Sequence, residues 1–105
     1  MELAEARVAA QAELDRMSSA SNPLRLFDDQ FATDVGWGWV WAWNTARWFE
    51  TRNPADSAGP GAGPVVVVKD SGEAFHLVSS PSYDEQLADY AAAHGLPAPA
   101  PLGWG

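Results

Sequence analysis

Asp28, Asp29 and Asp34 put three carboxylates within seven residues. Paired carboxylates can do general acid–base chemistry, and clustered ones can hold a divalent cation. The spacing is not that of a calcium-binding loop. The plainer reading is a solvated acidic edge that discourages strand-to-strand aggregation, with a charged patch for a basic partner as the intermediate one. The chain has two histidines, His76 and His94. His76 falls mid-strand, and His94 falls at the negative end of a helix dipole, a place that suits histidine without any catalytic duty. No carboxylate pattern beside either points to metal ligation. Gly59-Pro60-Gly61-Ala62-Gly63 resembles a phosphate cradle only superficially. It precedes a strand instead of opening a helix, and no Lys-Ser or Lys-Thr pair follows it; it reads as a tight connection. The absence of cysteine excludes a thiol nucleophile, a thiolate metal site and a disulfide scaffold. These residues lead us to expect no enzyme, no cofactor and no metal site.

Fourteen acidic residues against six basic ones give a formal charge of −8. Such a surface repels nucleic acid and anionic membranes, favours solubility and, where patterned, attracts basic proteins. Indoles can stack nucleobases, but a single-strand binder combines them with a basic groove. Here Arg47 and Arg52 are the only basic residues near the tryptophans in sequence. Nucleic acid is therefore not expected as a partner. No apolar stretch approaches the roughly 20 residues that span a bilayer. The start Met1-Glu2-Leu3-Ala4-Glu5 lacks a basic n-region. A cytoplasmic location without membrane association is expected.

Any such group must be positioned by the elements around it, and the most informative of these is Gly36-Trp37-Gly38-Trp39-Val40-Trp41-Ala42-Trp43-Asn44. Its four tryptophans stand at every second position. In an extended chain alternate side chains share a face, so all four indoles are expected on one side of one strand. Left in water they would expose about 600–1,000 Å², more than a soluble monomer usually tolerates. The protein's own helices, a second copy in a homodimer, or another partner must cover them. Burial inside the chain is the favoured reading.

Leu3, Ala6, Ala10, Leu14 and Met17 form one stripe of a helix over residues 2–17, which Ser18 to Pro23 stops. Residues 24–27 suit a short strand. The segment Arg47-Trp48-Phe49-Glu50 suits either a strand extension or a turn of helix. The Val65–Val68 run lacks alternation, so both of its faces should be buried. Lys69 to Glu73 reads as a hairpin turn, with Gly72 suited to positive φ, and residues 74–78 return antiparallel. Ser82 caps a second helix that Gly95 ends. The 105 residues make one domain, placed at 1–95, followed by a proline-rich tail at 96–105 that is either extended along the body and pinned by Leu102 and Trp104, or disordered. The expected fold is α+β and two-layered: a four-stranded antiparallel meander with an N-terminal and a C-terminal helix packed on one face.

Three motifs, in order, resemble one family. Gly38-Trp39-Val40-Trp41-Ala42-Trp43-Asn44 is similar to the glycine–tryptophan–valine–aromatic strand of the YrhB-like domain, the immunity protein 35 family. Gly61-Ala62-Gly63-Pro64-Val65-Val66-Val67 resembles its glycine–any–glycine–proline lead into an apolar strand. Lys69-Asp70-Ser71-Gly72-Glu73 resembles its lysine–aspartate–threonine–glycine turn, with serine for threonine. The resemblance covers about residues 2–95; Trp37, Ala42 and the proline tail depart from it. It implies a small bacterial cytoplasmic protein that binds and neutralises a polymorphic toxin domain, with no catalytic residues to carry over. The charge argues for a basic toxin domain, met by Asp28, Asp29, Asp34 and Glu50 with Trp48 as aromatic anchor. The alternative is a holdase-like or self-associating protein that uses the tryptophan face as an adhesive, and exposure of the indoles separates the two.

Overall fold

The computed structural model describes residues 2–58 and 63–102. The glycine-rich connection at 59–62 and the anchoring role considered for Trp104 lie outside the described residues.

Helix α1 (Leu3–Met17) opens with the Glu5 carboxylate accepting the Glu2 N–H at 3.5 Å. It closes at Ser18, whose backbone turns extended. The Ser18 hydroxyl donates to the Leu14 carbonyl and accepts the Leu24 N–H, which ties the helix end to the next element. Among the described residues six strands follow: β1 (Leu24–Leu26), β2 (Thr33–Asp34), β3 (Gly38–Trp41), β4 (Trp43–Thr45), β5 (Val65–Val68) and β6 (Ala74–His76). Helix α2 (Ala46–Thr51) continues directly from β4, and α3 (Tyr83–Ala93) follows β6. Strands β2-β3-β5-β6 form a four-stranded antiparallel meander, while β1 and β4 pair as a separate antiparallel ribbon. The tryptophan segment thus serves both sheets and changes sheet at Ala42, whose carbonyl accepts the Phe27 N–H.

The α+β class, a four-stranded antiparallel meander and the helix at each end of the chain are as expected, but the outer strand of the meander is β2, and the strand expected at residues 24–27 pairs with β4 instead. The expected placing of both helices on one face is not found. Val65 and Val67 share a buried cluster with Ala6, Ala10 and Leu14 of α1. Val66 and Val68 share another with Leu87 and Ala91 of α3. The helices therefore take opposite faces of the sheet. The cause is written in the valine run: successive side chains of a strand point to opposite faces, and four apolar residues leave neither face fit for water. The small residues Ala6 and Ala10 let α1 approach the sheet closely, and Leu14 fills the space below them; all three are fully buried.

The indoles also divide. Trp41 is fully buried in the α1 cluster, and Trp39 and Trp43 pack against it. Trp37 belongs to the opposite cluster, where its ring stacks on Tyr90 of α3 with centroids 5.4 Å apart. The expected single row of four is corrected to three. Gly36 takes φ +104°, a conformation that side chains rarely adopt, so the chain bends there and Trp37 enters before the strand alternation begins. Trp37 and Trp41 are buried within the chain, and Trp39 and Trp43 are partly buried against it.

The β5–β6 hairpin turns at Gly72, at φ +74°, with its N–H donating to the Val68 carbonyl at 2.8 Å. The Ser82 hydroxyl accepts the Glu85 N–H at the start of α3, and Gly95 at φ +67° ends it. The tail then runs along the body. The Ala100 N–H donates to the Val35 carbonyl at 3.0 Å, the Leu102 N–H to Asp84 Oδ1 at 2.8 Å, and the Leu102 side chain joins the α3 cluster.

Candidate functional site

A chemically distinctive surface is built where β1, the loop after it and α2 meet. Leu24 packs against the α1 cluster and Leu26 is buried in it, so the intervening Arg25 points the other way. The register Arg25↔Asn44 then places β1 beside the strand that feeds α2. Thr45 anchors that helix: its hydroxyl accepts the Trp48 N–H at 3.0 Å and donates to the Asp56 carbonyl. Arg52 closes α2 in the left-handed conformation, at φ 55°.

Four aromatic rings converge here. Phe27 meets Phe49 edge-on at 5.0 Å, Trp48 at 5.8 Å and Phe31 at 6.3 Å, and Trp48 meets Phe49 at 5.3 Å. Two guanidiniums lie over them, Arg25 5.0 Å from the Phe49 centroid and Arg52 4.5 Å from that of Trp48. Together Arg25, Phe27, Asp28, Phe31, Phe49 and Arg52 line a cavity of about 390 Å³. Phe31 is 55% exposed, an aromatic ring held out at the rim. Aromatic rings and arginines are the residue types enriched where proteins recognise partners.

The five residues expected to meet a partner are distributed unequally around it. Asp28 lines the cavity, Trp48 is one of the rings beneath Arg52, and Glu50 is exposed on α2. Asp29 is ion-paired with Arg7 of α1 at 2.7 Å, and the same guanidinium donates to the Phe27 carbonyl, fixing the loop. Asp34 lies on β2, where it pairs with Lys69 at 2.8 Å and accepts the Gly36 N–H. Lys69 in turn lies 4.3 Å from the Trp39 ring centroid, so the pair caps an indole at the edge of the α1 layer. Sequence reasoning missed Arg25, Phe27, Phe31, Phe49 and Arg52. A signal was present in Trp48, Phe49 and Arg52, which fall within one turn and on adjoining faces if the segment is a helix.

The Lys69 hydrogen bond, with that of the Gly36 N–H, holds the Asp34 carboxyl below the usual aspartate range. A carboxylate depressed on folding adds stability above its unfolded pKa and loses it as pH falls through the folded value. Asp34→Asn is therefore expected to lower stability at neutral pH modestly, the pair being largely exposed, and to match the parent at low pH. Urea midpoints between pH 7 and about pH 3 check this; a constant difference across that range would disprove the linkage. Tyr90 is pushed up by burial and by its hydrogen bond to Glu73, at 3.0 Å.

His76 lies 3.6 Å from Glu13, which also pairs with Arg16 at 3.0 Å. His94 stacks on Tyr90 and contacts that residue's carbonyl. The two histidines thus serve different neighbourhoods. Among the described residues no group of three or more histidine, cysteine, aspartate or glutamate side chains is arranged to hold a metal ion. No helix among them is long and apolar enough to cross a membrane.

The structure is that of a small α+β protein with an aromatic recess whose rim is charged. The chain belongs to the immunity protein 35 family, whose model matches residues 4–93. That match is made under the immunity name; the YrhB-like designation is not part of it. No curated protein and no solved structure matches the chain.

Proposed function

We propose that this chain is a non-enzymatic bacterial immunity protein that binds a cognate polymorphic toxin domain in the cytoplasm and blocks it. The family match over residues 4–93 carries the reading. The −8 charge supports a basic toxin domain, because opposite net charge speeds encounter. The contact surface we assign centres on α2 and the loop after β1, where Trp48, Asp28 and Glu50 border the aromatic recess. Asp29 and Asp34 complete the candidate set; their ion pairs with Arg7 and Lys69 must be shared or exchanged on binding, so they contribute less.

The test is co-expression with the C-terminal domain of a secreted toxin encoded beside this chain. Restored growth is expected, and failure to protect against any neighbouring toxin would remove the basis of the reading. With purified components, Asp28→Lys combined with Glu50→Lys is expected to slow association about tenfold at low salt. The gap should narrow as salt screens the charges. An association rate indifferent to both salt and charge reversal would count against a basic partner on this surface.

A further inference from the structure

The chain has six lysine and arginine side chains among fourteen carboxylates, so each cation has an abundance of possible partners. Four have taken one: Arg7 pairs with Asp29, Arg16 with Glu13, Arg47 with Asp56 and Lys69 with Asp34. Among the described residues Arg25 and Arg52 have no carboxylate partner. These two line the same cavity, and both guanidiniums lie over the Phe49 ring, at 5.0 and 5.5 Å from its centroid. We propose that this pocket receives a carboxylate side chain of the protein partner, clamped between Arg25 and Arg52.

The chemistry of the walls carries the assignment. A guanidinium resting on an aromatic face keeps its in-plane N–H donors for another acceptor, and its orientation is already restricted. A planar, bidentate carboxylate is the acceptor that such a fork matches. The two arginines and Asp28 give the lining a formal charge of +1, which a single carboxylate neutralises. Phe27 and the exposed Phe31 offer apolar surface to the stem of that side chain and to an apolar neighbour. The cavity, about 390 Å³, sits at the small end of ligand pockets and suits one or two side chains. A nucleic-acid strand could also offer anionic oxygens, but its repeating charge would meet Asp28 at the rim and the −8 of the chain beyond it. A basic toxin domain is compatible with the pocket, since its net charge meets the surrounding acids while one of its carboxylates enters.

The inference rests on the partner being a protein, and its test separates the two claims. The ¹⁵N-labelled chain is titrated with acetyl-Leu-Glu-Leu-amide, with acetyl-Leu-Gln-Leu-amide and with an oligothymidine of the same length range. The glutamate peptide is expected to shift the Arg25 and Arg52 Nε–H, the Trp48 indole N–H and the Phe31 amide. The glutamine peptide should bind about tenfold more weakly, as loss of a charge-assisted hydrogen bond implies. Arg25→Gln with Arg52→Asn should abolish the response while the rest of the spectrum is unchanged; asparagine tolerates the left-handed backbone at position 52. Equal binding of the two peptides, an undiminished response in the double variant, or a stronger response of the same resonances to oligothymidine would each overturn the proposal. If the double variant protects against the neighbouring toxin as well as the parent does, and no peptide response is seen, the pocket assignment falls and the immunity reading stands. A glutamate-specific response in a chain that protects against no toxin supports the pocket and removes the immunity reading.

Discussion

Trp41→Ala is expected to destabilise the protein by about 3–5 kcal/mol, which is a large share of what holds a domain of this size together. Trp41 is the largest fully buried side chain, and it sits with Ala6, Ala10 and Leu14 of α1 and with Val65 and Val67 of β5. Truncation removes its buried area and leaves a cavity between a helix and a sheet that cannot both close on it. The indole brings one liability: Nε1 of Trp37, Trp39 and Trp41 has no hydrogen-bond partner among the described residues, whereas Trp43 Nε1 donates to the Gly63 carbonyl at 2.7 Å. An unsatisfied buried donor costs about 1–3 kcal/mol. Trp41→Phe removes that donor while keeping much of the apolar volume, so its loss should be well under half that of Trp41→Ala. Urea denaturation of the parent and both variants decides the matter. An alanine variant within about 1 kcal/mol of the parent, below the range for deleting a packed aromatic, would mean that α1 does not close this face.

The parts of this fold that could be read from sequence are those in which a local pattern has one physical solution. Val65–Val68 had to be buried on both faces, and Ser82 and Gly95 mark the ends of α3 with a hydroxyl and a left-handed turn. The pattern was less decisive where a residue permits a conformation without requiring it. Gly36 allows positive φ, but only the surrounding packing makes it bend, and that bend sends Trp37 to the α3 side. Glu13 stands outside the apolar stripe of α1 that Leu3, Ala6, Ala10, Leu14 and Met17 form. It is buried nonetheless, because Arg16 from the same helix and His76 from β6 bring partners to it. The aromatic recess was the least legible part. Arg25 reaches Phe49 only because β1 pairs with β4 and α2 follows without a break, a long-range event that no spacing in the sequence announces. The same holds for the acids. Asp28, Asp29 and Asp34 look like one patch in the sequence, but Arg7 and Lys69 claim two of them from distant elements.

The residues that hold the sheet are thus separate from those that line the recess. The central strand β5 of the meander is buried on both faces, and Trp41 is committed to the core beside it. The β1–β4 ribbon carries its apolar residues inward and its arginine outward, where Arg25 lines the recess with residues of α2. A change that loosens the junction between the ribbon and the meander should therefore damage stability and, on the function proposed above, binding as well.

Gly63→Ala makes such a change and is expected to cost about 3 kcal/mol or more, the upper range for forcing an extra group into a packed site. A Cβ at this position would lie 1.7 Å from the Leu77 carbonyl oxygen and 2.3 Å from its carbon. The obstacle is backbone, so no side-chain rotation relieves it. Gly63 and the Leu77 backbone must separate, and two contacts go with them: the bond from the Leu77 N–H to the Pro64 carbonyl, at 2.9 Å, and the bond from Trp43 Nε1 to the Gly63 carbonyl. The first holds the start of β5 against the strand that follows it. The second ties the ribbon indole to the same segment. Gly95→Ala is the control, because nothing lies within 4 Å of a Cβ there and its cost is limited to the strain of φ +67°. The Gly63 variant should unfold at a markedly lower urea concentration than the Gly95 variant, and its Trp43 indole N–H should exchange faster with solvent. A Gly63 variant as stable as the parent, with that N–H still protected, would show that the backbone of Gly63 does not pack against Leu77.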